Sequence, residues 1–133
     1  DDVNRRIAGV VRVTVNNFRP NLHIVGCDAY DEDEMKSISF RSDAARLSLI
    51  KPCSRCIVTT VDPQTGSKQA GGEPLRTLRQ YRSAEILQRT ARLHKAFYFK
   101  PEMANQAFFG QNALVEFSPG TVLSVGDEGA VNW

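Results

Sequence analysis

Three cysteines in 133 residues are too few, and odd in number, for the disulfide framework of a small secreted domain. They fit a reducing compartment, and the expectation is a cytoplasmic chain. No apolar run approaches the roughly 18 residues of a membrane-spanning helix, and no opening stretch resembles a signal peptide, so no membrane partner is expected. Nor is charge of one sign in excess. Seventeen Lys and Arg against fifteen Asp and Glu leave a formal +2, too little to argue for nucleic acid. Internal repeats are missing too, and with them a second domain. The chain opens Asp1-Asp2-Val3 without an initiator Met and so reads as trimmed or as a fragment. What remains is ordinary: 41% hydrophobic and 24% charged residues, and a length that suits one domain over residues 1–133 with its own core.

Period-two alternation over Val10-Val11-Arg12-Val13-Thr14-Val15 predicts a half-buried strand, and Leu22-His23-Ile24-Val25 resumes an extended pattern. The acidic patch at residues 28–34 lacks the central Gly and terminal Glu of a calcium loop and reads as a solvated loop. Residues 37–40 and 45–50 read as short strands joined by the Arg41-Ser42-Asp43 turn, and residues 57–61 as another strand closed by Asp62-Pro63-Gln64-Thr65-Gly66. Helix is expected only in the second half. There Pro74 suits a first helical position with Leu75, Leu78 and Tyr81 as its buried stripe, and Ser83 caps a stretch carrying Ile86, Leu87, Ala91 and Leu93. Arg76, Arg79, Arg82, Arg89, Arg92 and Lys95 make that region basic, which suits a solvated face, or else a phosphate-binding or partner-docking one. Residues 112–117 and 121–125 predict a hairpin around Ser118-Pro119-Gly120. Many short strands and one helical region give a mainly β fold, a barrel or sandwich with one or two short helices.

Chemistry concentrates in Lys51-Pro52-Cys53-Ser54-Arg55-Cys56, read as a polar loop between two strands. A thiolate is the soft ligand and nucleophile of proteins, and a neighbouring cation such as Arg55 favours it. Three readings compete. A zinc site needs about four ligands, and Cys27, His23 and His94 lack finger or ribbon spacing. A thioredoxin-like pair needs a strand-to-helix junction in an α/β unit. A single functional thiolate with the other cysteine packed is the third.

A wider pattern bears on the choice. Phe18-Arg19-Pro20-Asn21-Leu22, the Lys51 to Cys56 run, Thr59-Thr60-Val61-Asp62-Pro63 with Gly66, Glu73-Pro74-Leu75-Arg76-Thr77-Leu78-Arg79, Tyr81-Arg82, Phe109-Gly110-Gln111-Asn112 and Val125-Gly126-Asp127 occur in this order. Together they resemble the MOSC domain, named from the C-terminal domain of molybdenum cofactor sulfurases. The Thr-Thr-Val-Asp-Pro block points within that family to the branch of reductases related to the amidoxime-reducing components.

The resemblance implies a MOSC-type β-barrel and a molybdenum–pyranopterin (molybdopterin) cofactor. It implies Cys56 as the molybdenum ligand and catalytic centre, with Ser54, Arg19 and Asn21 holding the cofactor and Cys53 packed. The implied reaction is two-electron reduction of a small N-hydroxylated substrate, with electrons from a flavin, haem or iron–sulfur protein. The alternative is a sulfur-carrier or cofactor-transfer module that turns nothing over. Family reductases carry a further N-terminal barrel-like subdomain that these residues do not contain, so a minimal MOSC protein or a piece of one is expected. Gln111 and Asn112 receive no assigned contact.

Overall fold

The computed structural model describes residues 2–9, 11–41, 43–90, 93 and 99–133. Its sheet begins where β-branched and aromatic residues alternate with serines: β1 (Ser37–Phe40) pairs antiparallel with β2 (Ala45–Arg55), Ile38 opposite Leu47 and Phe40 opposite Ala45. On the other side of β1 lies β4 (Gly129–Asn132), also antiparallel, with Val131 opposite Ile38. β3 (Ala107–Phe117) flanks β2, so the order is β3-β2-β1-β4. Among the described residues there are also four α-helices, α1 (Asp2–Arg6), α2 (Val15–Phe18), α3 (Leu75–Tyr81) and α4 (Ala84–Thr90). Among the described residues this is a mixed fold with an open four-stranded sheet, not the closed barrel expected.

Two strand expectations hold at their starts, Ser37–Phe40 and the run from Ala45, because Ala45, Leu47 and Leu49 are buried in alternation. The alternation breaks at the exposed Lys51, yet β2 continues to Arg55, so most of the cysteine segment is strand rather than loop. Residues 57–61 do not form a strand. Ile57–Thr60 is a 3-10 turn in which the Thr59 hydroxyl donates to the Cys56 carbonyl (3.0 Å) and the Thr60 hydroxyl to the Ile57 carbonyl (2.7 Å). Such local bonds compete with a strand ladder.

Residues 11–15 are likewise not a strand. Val13 is buried as its alternation implied, but its N–H and C=O are satisfied by the side chain of Asn4, at 2.9 and 2.8 Å. The chain then turns into α2, where the Asn17 carboxamide oxygen accepts from the Thr14 N–H at 2.9 Å. Helix is therefore present in the first half as well. The expected hairpin is half right. β3 ends at Phe117 and the chain turns at Pro119-Gly120, but residues 121–125 form no strand, and the last strand, β4, pairs with β1.

The helical expectations fare better. α3 starts one residue after Pro74, and the buried Glu73 carboxylate caps it by accepting from the Thr77 N–H at 3.1 Å. Leu75 and Leu78 are buried and Tyr81 half-buried. Ser83 caps α4, its hydroxyl accepting from the Ile86 N–H at 3.5 Å. Ala91, Arg92, Lys95, Phe97 and Tyr98 lie outside the described residues, as does His94.

The described chain divides into two compact units. The first holds residues 2–9, 11–29, 54–90 and 99–109, with a core of Val3, Ile7, Val13, Phe18, Leu75, Leu78 and Ala107. The second holds residues 30–41, 43–53, 93 and 110–133, with a core of Met35, Ile38, Phe40, Ala45, Leu47 and Leu49. Among the described residues no helix is long and apolar enough to cross a membrane.

Candidate functional site

All four residues singled out as cofactor ligands, Arg19, Asn21, Ser54 and Cys56, belong to the first unit, and all four are exposed. Cys56 sits at the junction between β2 and the 3-10 turn, in extended conformation (φ −100°, ψ 179°). Its carbonyl accepts from the Thr59 N–H at 3.2 Å and from the Thr59 hydroxyl, so its backbone is held while its thiol is open to solvent. Arg19 ends α2 in the left-handed region (φ 50°, ψ 51°), its N–H donating to the Asn16 carbonyl at 3.2 Å. Residues 20–25 follow as irregular chain, so the extended run expected at Leu22-His23-Ile24-Val25 forms no strand.

Arg55 connects the segments. Its Nε donates to the Phe109 carbonyl at 2.8 Å and its Nη1 to the Phe18 carbonyl at 3.0 Å. The guanidinium carbon lies 5.8 Å from the centre of the Phe18 ring, within reach of a cation–π contact, and that ring stacks on Phe109 with centroids 4.2 Å apart. The cation adjacent to the cysteines in sequence is thus engaged by two backbone carbonyls. A second tie runs from Asn17, whose amide donates to the Thr59 and Val61 carbonyls at 3.4 and 3.3 Å. Both ties escaped sequence reasoning. Asn17 stands one place before the Phe18 motif, but nothing local betrays acceptors 42 and 44 residues away.

The other cysteine readings fare differently. Cys53 is half-buried in the second unit, consistent with a packed residue, and Cys27 is exposed. Among the described residues no group of three or more His, Cys, Asp or Glu could hold a metal ion, so the zinc reading finds no ligand set there. The Cys-x-x-Cys pair lies at a strand-to-3-10 junction, not between two strands as expected. Its helical turn is only four residues long and β2 runs antiparallel to β1, unlike the parallel unit of a redox pair.

The acidic patch is not wholly solvated. Asp31–Asp33 forms a 3-10 turn, and Asp33, 4% exposed, accepts from Gln111 Nε2 at 2.8 Å. Gln111 thereby gains the contact that could not be assigned from sequence. In the described part of the basic stretch the guanidinium groups have partners, although Arg76, Arg79 and Arg89 stay exposed. Arg76 pairs with Glu73 at 2.8 Å, Arg89 with Glu85 at 2.7 Å, and Arg79 donates to the Asn105 carbonyl at 2.9 Å. Arg82 is buried and donates to the Phe108 carbonyl at 3.2 Å.

Comparison with known proteins bears on what this arrangement serves. A family model described as the MOSC domain matches residues 1–129. The chain belongs to the MOSC domain family. This MOSC domain is 40% identical over 126 residues to human mitochondrial amidoxime-reducing component 1, covering 95% of the chain and 32% of that protein. The mouse protein of the same name is 36% identical over 127 residues, 96% of the chain and 32% of the relative. Bos taurus mitochondrial amidoxime reducing component 2 is 42% identical over 81 residues, 61% of the chain and 23% of the relative. The chain thus spans about a third or less of the length of these curated relatives.

Proposed function

We propose that this MOSC domain holds a molybdenum–pyranopterin cofactor and serves the two-electron reduction of small N-hydroxylated compounds. The observation that carries the reading is the first unit itself, in which an exposed thiol, guanidinium, carboxamide and hydroxyl share one scaffold and Arg55 bonds to the carbonyl preceding Arg19. The donor set fits the group. Cys56 offers a soft thiolate to a sulfur-rich metal environment. Arg19 offers a planar fork to a phosphate. Asn21 offers a donor and an acceptor to a pterin edge, and Ser54 a hydroxyl. Kinship with proteins named amidoxime-reducing components supports the substrate class.

When bound, the cofactor would supply the two-electron chemistry that cleaves an N–O bond, consuming two protons and releasing water. The chain's own part is to ligate, orient and hold. Electrons come from outside, from a flavin, haem or iron–sulfur protein. The exposed arginines of α3 and α4 could face it, although Arg76 and Arg89 are each paired with a glutamate of their own segment. Exposed thiols call for a reducing compartment, and a cytoplasmic placement is part of the proposal, although the relatives are named mitochondrial.

The test is molybdenum and pterin content after mixing the purified chain with released cofactor, alongside Cys56→Ser. Because the side chain is exposed, the variant should fold with stability within about 0.5 kcal/mol of the parent. Metal and pterin that co-elute with the parent and not the variant are the expected result. Equal retention by both would remove Cys56 as ligand. A thiol-labile gain of one sulfur atom on Cys56 in intact mass, with no cofactor retained, would favour the carrier reading.

A further inference from the structure

Arg55 stands between two of the candidate ligands, Ser54 and Cys56, yet its side chain bonds two sequence-distant backbone carbonyls of the unit, those of the residue before Arg19 and the residue before Gly110. We propose that Arg55 is a positioning residue, which sets the Cys56 segment in register with the Arg19–Asn21 segment. The proposal rests on the cofactor reading of the site.

A binding constellation works only when its members are held within about 0.5 Å of the productive geometry. Three of the candidate ligands do not have that from regular structure; Ser54 alone lies within a strand, β2. Arg19 and Asn21 lie on irregular chain after a left-handed turn, and Cys56 lies just beyond a strand end. Burial of Phe18 anchors α2 to the core through its ring, not through its carbonyl. Asn17 ties α2 to the far end of the 3-10 turn, at Thr59 and Val61. Arg55 supplies the tie at the near end, beside the thiol. The two acceptors are engaged by different nitrogens, Nε and Nη1, of one rigid planar group. A lysine keeps the charge but has a single nitrogen on a flexible stem, so it cannot reproduce that fork. Charge-assisted bonds to the carbonyls of buried Phe18 and half-buried Phe109 are also stronger than neutral ones.

The test uses Arg55→Lys and Arg55→Gln in the full chain. On cofactor-free protein, hydrogen exchange should quicken about tenfold at the Arg19 and Phe108 amides, whose bonds go to Asn16 and Arg82, while the Leu49 amide is unchanged. With released cofactor, both variants should bind about tenfold more weakly than the parent at temperatures well below their melting points, with no rescue by Lys. Unchanged exchange at Arg19 and Phe108, or cofactor binding by Arg55→Lys equal to the parent's, would overturn the proposal. So would exchange quickened equally everywhere, or loss of fold in both variants, since either makes Arg55 a general stability residue. If the parent itself takes no cofactor, the cofactor reading fails separately and the exchange measurement alone decides the role of Arg55.

Discussion

Asp62 opens the turn after the 3-10 segment and shows how much a single exposed carboxylate can organise. One oxygen accepts from the Thr65 N–H at 3.0 Å and the Gln64 N–H at 2.8 Å, and Gly66 completes the reversal with a positive φ of 70°. The Thr65 bond first, then that from Gln64, holds the carboxyl below its ordinary value of 3.8. A carboxylate with a depressed folded-state pKa adds stability that is present above the unfolded value and is lost as pH falls through the folded one. Asp62→Ala should therefore lower the melting temperature at pH 7, and the difference from the parent should shrink as the pH drops below 3.8. A difference independent of pH would show that the turn draws nothing from the ionised form. The residue was legible in the sequence because Asp-Pro and a following Gly announce a turn by local chemistry alone. Arg55 was legible as a cation near two cysteines, but not as a clamp, because its acceptors are 37 and 54 residues away.

Among the elements, the β1–β4 pair carries the tightest constraint. Gly129 faces Phe40 across the ladder, and a Cβ there would come within 2.8 Å of Ile38 Cγ2 and 2.9 Å of Phe40 Cε1. Both neighbours are core side chains with little room to retreat. Gly129→Ala is expected to cost about 1–3 kcal/mol, the usual range for overpacking, read as a lower urea midpoint with an unchanged slope. A midpoint equal to the parent's would mean that β4 can lift from β1 without loss. Elements with local causes could be read beforehand. β1 and the start of β2 declare themselves by alternation, α3 by its Leu75–Leu78 spacing and α4 by Ser83. Elements whose partners are remote could not. Residues 11–15 carry a strand pattern but bond to the Asn4 side chain, and the partner of β4 is a strand about ninety residues earlier, not its sequence neighbour.

At the scale of the whole molecule, the candidate ligands are confined to one of two units, and that confinement is itself testable. A ligand that binds only the folded state stabilises it by about 2.7 kcal/mol at one hundred times its dissociation constant. Released cofactor should thus stabilise the parent and leave Cys56→Ser unchanged, with slowed hydrogen exchange concentrated at residues 14–21 and 54–61. Stabilisation of both proteins alike would place the binding elsewhere. The family was legible over residues 18–127 because its blocks appear in order, and the family match over residues 1–129 agrees. The closed barrel was not: among the described residues, the helices and 3-10 turns occupy stretches that alternation alone assigns to strands.

Arg55 grips carbonyls, and carbonyls do not mutate. Substitutions at positions 18 and 109 can alter the ring stack, yet every amino acid still presents the same two oxygens to the guanidinium. The hydrogen-bonded part of this coupling would therefore leave no matched changes in related sequences for a pairwise comparison to detect. An arginine of this kind would be retained across a lineage by a constraint written largely in the main chain.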